Sequence, residues 1–106
     1  RLAVVSNWDI SLHKTLRAFG IYDFFETVTA SMEEGVEKPD PKIFEITLDR
    51  MQISPEKVVH VGDNPIDDLR GAKSAGIKGY IIDRENPSEG NLYISSLSEL
   101  PKRIGI

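Results

Sequence analysis

The chain has 106 residues, 13 of them basic and 17 acidic, giving a formal charge of −4. That length suits one small domain, and 40% apolar with 28% charged residues is ordinary globular usage, which excludes wholesale disorder. The acidic balance and lack of a basic stripe exclude a dedicated nucleic-acid module, and the absence of Cys excludes disulfides, thiol catalysis and thiolate zinc sites. No apolar run approaches the roughly 18 residues that cross a bilayer, and no signal-peptide pattern opens the chain. The expectation is therefore a cytoplasmic protein that contacts neither membrane nor nucleic acid.

Leu2-Ala3-Val4-Val5 is a continuous apolar run ending in Ser6-Asn7, the pattern of a strand buried on both faces. From Ser11, apolar Leu12, Leu16 and Phe19 recur at helical spacing and Gly20 supplies a stop, which predicts an amphipathic helix. Thr27–Ala30 reads as a second strand, and the acidic stretch Met32–Asp40, with Gly35 and Pro39, as a loop. Asp40 then caps a helix opened by Pro41, with Phe44, Leu48 and Met51 on its inner face. Ser54–Lys57 forms one turn leading into a strand over Val58–Val61. Asn64-Pro65 restarts a helix whose inner face is Ile66, Leu69, Ala72 and Ala75, stopped by Gly76. Tyr80–Ile82 is a strand, Arg84–Gly90 a loop, Leu92–Ile94 a short strand, and Ser96–Leu100 a short helix ending before Pro101.

Strands alternating with helices predict βαβ units and a mainly parallel α/β sheet covered on both faces, with ligands beyond the carboxyl ends of the strands. Ser6, Asn7, Asp63 and Asp83 fall at those ends.

The densest cluster is Gly62-Asp63-Asn64-Pro65-Ile66-Asp67-Asp68. Grouped carboxylates at a strand tip are hard oxygen ligands suited to Mg²⁺, which takes one or two of them plus waters and substrate phosphate. The same residues also suit a helix start, with Asn64 as cap and Asp67 completing a capping box. Asp63 precedes that cap and is the better metal ligand. Lys38 lies in a loop just before a helix, where Pro39 and Pro41 restrict the backbone; it is either a solvated surface charge or a stabiliser of a transferring phosphoryl group. Ser6-Asn7 offers a hydroxyl, an amide and free backbone N–H groups, a candidate phosphate cradle. His60 reads as a core histidine, His13 as solvated, and Asp9 either as part of the pocket mouth beside Trp8 or as a helix cap.

Taken in order, these pieces resemble the last three motifs of the haloacid dehalogenase-like (HAD) hydrolases. Ser6-Asn7 after an apolar strand resembles the second motif, Lys38 in Lys-Pro-Asp-Pro-x-Ile-Phe the third, and His60 to Gly76 the fourth. The resemblance implies a Rossmann-like, doubly wound parallel sheet and a phosphatase acting on a small phosphorylated metabolite. It further implies that Ser6 and Asn7 hold the phosphoryl group, Lys38 offsets its charge, Asp63 binds Mg²⁺, and Asp68 orients a water or Lys38. Gly62-Asp63 favours metal-dependent phosphate chemistry over the metal-free 2-haloacid dehalogenases of the same superfamily. A phosphotransferase or a non-catalytic phosphate-binding module are the other readings.

One motif is missing. The family's nucleophile lies in an Asp-x-Asp on the central strand, and no Asp-x-Asp occurs in these 106 residues. Residues 1–106 are thus expected to be the C-terminal portion of a HAD core, with the central first-motif strand and the cap elsewhere in the same chain. The segment by itself is expected to be inactive, and to be ordered only beside that missing part.

Overall fold

A computed structural model describes residues 1–85 and 91–105. Strand β1 (Ala3–Ser6) leads into helix α1 (Ser11–Ala18), and strand β2 (Thr27–Ala30) into the one-turn helix α2 (Ser31–Glu34). Helix α3 (Pro41–Met51) precedes strand β3 (Val59–Gly62). A widened π-type turn over Pro65–Arg70 then runs into helix α4 (Gly71–Ser74), followed by β4 (Lys78–Ile82), β5 (Tyr93–Ile94) and α5 (Leu100–Arg103).

All strand pairs are parallel, and they form two sheets rather than one: β1 with β2, and β3-β4-β5. Ser6 is level with Ala30, so the segments leaving β1 and β2 emerge side by side. Trp8 carbonyl accepts from Met32 N–H at 3.0 Å and from the Ser31 hydroxyl at 3.3 Å, which ties those two exits together. In the second sheet Gly62 is level with Ile81.

Between the sheets lies a cavity of about 100 Å³, lined by Ala3 and Val5 of β1, Val59 and His60 of β3, and Phe44, Thr47 and Met51 of α3. Among the described residues no backbone ladder joins β1 to β3. Helix α3 packs on β1, β2 and α4. Its Ile43 and Phe44 form the core with Ala72 and Ile77, surrounded by Val5, Leu48, Val58 and Ala75. The helix starts where Asp40 accepts from Lys42 N–H at 2.9 Å, with Pro41 in the first turn where its missing N–H costs nothing.

This is the α/β, Rossmann-like parallel architecture of a HAD core, as expected, and most boundaries agree within two residues. Four expectations are corrected. Strand β1 is half-buried rather than buried on both faces, and among the described residues only β2 pairs with it. Met32–Glu34, expected as the start of a loop, lie in α2, which is closed by Gly35 in the left-handed region at φ 72°. Phe19 is 74% exposed and Ile66 is exposed as well: neither lies on an inner face, since no described element covers the last turn of α1 or the first turn after Asn64. Pro101 sits in the first turn of α5 instead of ending the helix, where again its lack of an N–H is harmless. That helix is entered through a reciprocal cap in which Ser96 accepts from Ser98 N–H and Glu99 accepts from Ser96 N–H. Of the loop expected at Arg84–Gly90, residues 86–90 lie outside the described residues.

Phe44 is buried against both helices and the ring of His60. Truncating it leaves a cavity beside an already open seam, so Phe44→Ala is expected to cost about 3–5 kcal/mol of stability. Urea denaturation of the variant measures it; a loss below about 1 kcal/mol would place the core elsewhere.

Candidate functional site

Lys38, His60 and the backbone of Asn64 converge on one carboxylate. Asp68 is 2% exposed, one helical turn beyond the cap at Asn64. Its Oδ1 accepts from Lys38 Nζ at 2.6 Å and lies 2.8 Å from His60 Nε2, and its Oδ2 accepts from Asn64 N–H at 3.0 Å. Gly62 makes room for it: a Cβ there would lie 2.0 Å from Asp68 Cγ, so any other residue would expel the carboxyl. The close approach of Asp68 is what requires a glycine here.

The opening of the helix brings Asp68 to that position. Asn64 accepts from Ile66 N–H at 2.9 Å and from Asp67 N–H at 3.0 Å, while its carbonyl receives both Asp68 N–H at 2.8 Å and Leu69 N–H at 3.4 Å. The shared carbonyl is the widened turn, a distortion that frequently accompanies functional sites. Asn64 is therefore the cap, but Asp67 completes only one half of a capping box.

Lys38 reaches the same centre from the loop before α3. Its side chain is 11% exposed, so it is not a solvated surface charge. Asn7 fastens that loop to β1: its Nδ2 donates to Lys38 carbonyl at 3.0 Å and its Oδ1 accepts from Lys38 N–H at 2.8 Å. The two amide groups thus mimic one rung of a sheet ladder across the mouth of the site. One Asn7 N–H and two of the three ammonium protons of Lys38 remain for a ligand.

Asp63 stands exposed at the tip of β3 with no hydrogen bond or ion pair among the described residues, so both its oxygens are open. No group of three or more His, Asp or Glu able to hold a metal occurs among the described residues. A single open carboxylate still fits Mg²⁺, which commonly takes one or two carboxylates and fills its other positions with water and phosphate. Ser6 lies at the end of β1, half-buried, with its hydroxyl unpartnered among the described residues.

Other candidates fall away from this centre. Asp9 accepts from the N–H of Ser11, the first residue of α1, at 2.8 Å. Asp83 accepts from Glu85 N–H at 3.2 Å beyond β4. His13 is not solvated as expected, for it bridges the Tyr22 hydroxyl at 3.0 Å and the Glu33 carboxylate. His60 was read as a core histidine; it is half-buried, packs edge-on to Phe44 at 5.0 Å, and also belongs to the site through Asp68. Its signal was alternation, since His60 and Gly62 share a face of β3 and Asp68 lies over Gly62.

Burial works to raise the Asp68 pKa, but hydrogen bonds from His60, Lys38 and Asn64 N–H, with the Lys38 charge, hold it far below the ordinary carboxylate range. A carboxyl depressed on folding contributes stability above its unfolded value, about 3.9, and loses that contribution as the pH falls through the folded value. The stability advantage of wild type over Asp68→Asn is thus expected to be full at neutral pH and to shrink once the pH drops below about 4. Denaturation curves of both proteins across that range measure it, and a gap independent of pH would mean that Asp68 carries no depressed pKa.

The profile of the haloacid dehalogenase-like hydrolases matches residues 1–76. The chain is 38% identical over 107 residues to haloacid dehalogenase-like hydrolase domain-containing protein 3 of Danio rerio, covering 95% of this chain and 44% of that protein. It is 44% identical over 75 residues to a glyceraldehyde 3-phosphate phosphatase of Methanopyrus kandleri, covering 71% and 32% of the two chains. The crystal structure of a HAD phosphatase from Thermococcus onnurineus superposes with a TM-score of 0.92 at 32% identity, over 99% of this chain and 50% of that one. The chain spans between about a third and a half of the length of these relatives. On that match and these relatives, the chain belongs to the haloacid dehalogenase-like hydrolases.

Proposed function

We propose that residues 1–106 are the C-terminal portion of the core of a Mg²⁺-dependent phosphatase acting on a small phosphorylated metabolite. The observation that carries this reading is the Lys38–Asp68 pair, nearly dry, beside the open carboxylate of Asp63 and the clasp of Asn7. A fixed cation next to an unpaired hard-oxygen ligand suits a ligand that is both anionic and metal-binding, which describes a phosphate ester. Relatives that include a glyceraldehyde 3-phosphate phosphatase and a HAD phosphatase support the same chemistry.

In this reading Asn7 donates its free N–H to a phosphoryl oxygen, and the Ser6 hydroxyl adds a second donor. Lys38 directs its remaining ammonium protons at the same group, so charge building up on the oxygens meets donors already in place. Asp68 keeps the ammonium from swinging out to solvent. Asp63 holds Mg²⁺, which when bound supplies positive charge to the phosphoryl oxygens. The attacking group is a carboxylate outside these residues, consistent with the lack of an Asp-x-Asp. The slot between β1 and β3, lined by Ala3, Val5, Val59 and His60, is where the strand bearing that carboxylate fits, with the cap above it. A strand there would pair with both open edges and close the two sheets into one.

Hydrolysis of p-nitrophenyl phosphate by the full-length protein that carries these residues tests the reading. Turnover is expected with Mg²⁺ and its loss with chelator, and Asp63→Asn is expected to lower kcat by about 100-fold or more. Turnover in chelator, or halide release from 2-haloacids under the same conditions, would overturn it in favour of a metal-free dehalogenase. The 106-residue segment expressed alone is expected to hydrolyse no phosphate ester. Activity from the segment alone would place the nucleophile inside it.

A further inference from the structure

His60 is not among the residues to which the proposed chemistry assigns a task, yet its ring reaches the carboxylate on which Lys38 depends. Lys38 Nζ and His60 Nε2 converge on one oxygen, Asp68 Oδ1, at 2.6 Å and 2.8 Å. The other oxygen receives Asn64 N–H. An ionised carboxylate offers no proton, so Nε2 must be the donor, and the ring's Nε2–H form is the one this geometry selects. The ring has little freedom to make any other contact. It is held edge-on to Phe44 at 5.0 Å and lies on the wall of the slot between the sheets.

We propose that His60 is a positioning residue that locks the Asp68 carboxylate in one rotamer, and through it aims the Lys38 ammonium at the phosphoryl site. The proposal rests on the phosphatase reading above for its kinetic consequence, but not for its geometry. With Nε2 present, Oδ1 is bracketed on two sides, and rotation of the carboxyl away from Lys38 breaks both contacts. Without it, Asn64 N–H still holds Oδ2 while Oδ1 is free to follow Lys38 outward. The ammonium then samples positions away from the ligand, and kcat falls while binding of the ester, which also uses Asn7, Ser6 and the Mg²⁺ that Asp63 would hold, is little changed. Hydrogen-bonded partners of this kind typically contribute about 10–100-fold in activity.

Two substitutions separate aim from packing. His60→Phe keeps an aromatic ring against Phe44 and removes the donor, whereas His60→Gln removes the ring and places an amide N–H near the position of Nε2. In the full-length protein with Mg²⁺, His60→Phe is expected to lower kcat on p-nitrophenyl phosphate about tenfold with KM within a factor of about two, and His60→Gln to recover most of the loss. Long-range ¹H–¹⁵N correlation of the imidazoles supplies a readout independent of activity. Wild type at neutral pH is expected to show His60 protonated at Nε2, and Asp68→Asn to shift that resonance. Wild-type kcat in His60→Phe, equal losses in both variants, or a bare Nε2 would each overturn the proposal. If no variant hydrolyses the ester, the phosphatase reading fails by itself, and the imidazole resonances still decide whether His60 holds Asp68.

Discussion

A buried carboxylate is costly to keep ionised, and Asp68 is kept so by three donors from three different parts of the chain. Lys38 comes from the loop before α3, His60 from within β3, and Asn64 from the start of the following helix. Each would be poorly placed without the others, because removing one partner of a buried pair leaves a charge that neither water nor protein satisfies. Much of the surrounding sequence follows from this. Gly62 has no Cβ because the carboxyl occupies that space, and Gly71 has none because Phe44 and Pro39 approach to 3.1 Å. The second of these glycines lets α4 close on both α3 and the loop that delivers Lys38.

The parts of the fold that could be read from the residues are those whose causes are local. Asp40-Pro41 and Asn64-Pro65 announce helix starts because the capping oxygen and the missing N–H act within three residues. The parallel arrangement follows from strands that alternate with helices. The candidate site was also legible in outline, since Ser6, Asn7 and Asp63 fall at strand ends while Lys38 and Asp68 lie just before α3 and just after β3. What escaped was pairing at a distance. That Asn7 spends its amide on the backbone of Lys38, 31 residues away, depends on β1 and β2 lying level, which no local pattern states. His60 was hidden for a related reason. A histidine among valines is a core residue by its neighbours in sequence, and its partner lies across a turn widened beyond ordinary helical period.

The misplaced apolar residues have one common cause. Reading Phe19 and Ile66 as inward assumes that every helical stripe meets a core, and reading β1 as buried on both faces assumes a neighbour on each side. The described residues contain two half-sheets, so some faces that would be covered in a closed sheet are open. Periodicity reports which residues share a face. Whether that face is covered is a property of the whole assembly, and it cannot be obtained from one segment's period.

Helix α3 carries a consequence of its own. Two half-sheets that share no ladder keep their separation through whatever lies beneath them, and here that is the row Phe44, Thr47 and Met51. The distance between the Asn7 side and the Asp63 side is therefore set partly by side-chain volume, beside the hydrogen bonds that run from Asn7 through Lys38 to Asp68. A change of one methylene in that row would alter the spacing of the polar groups without replacing any of them.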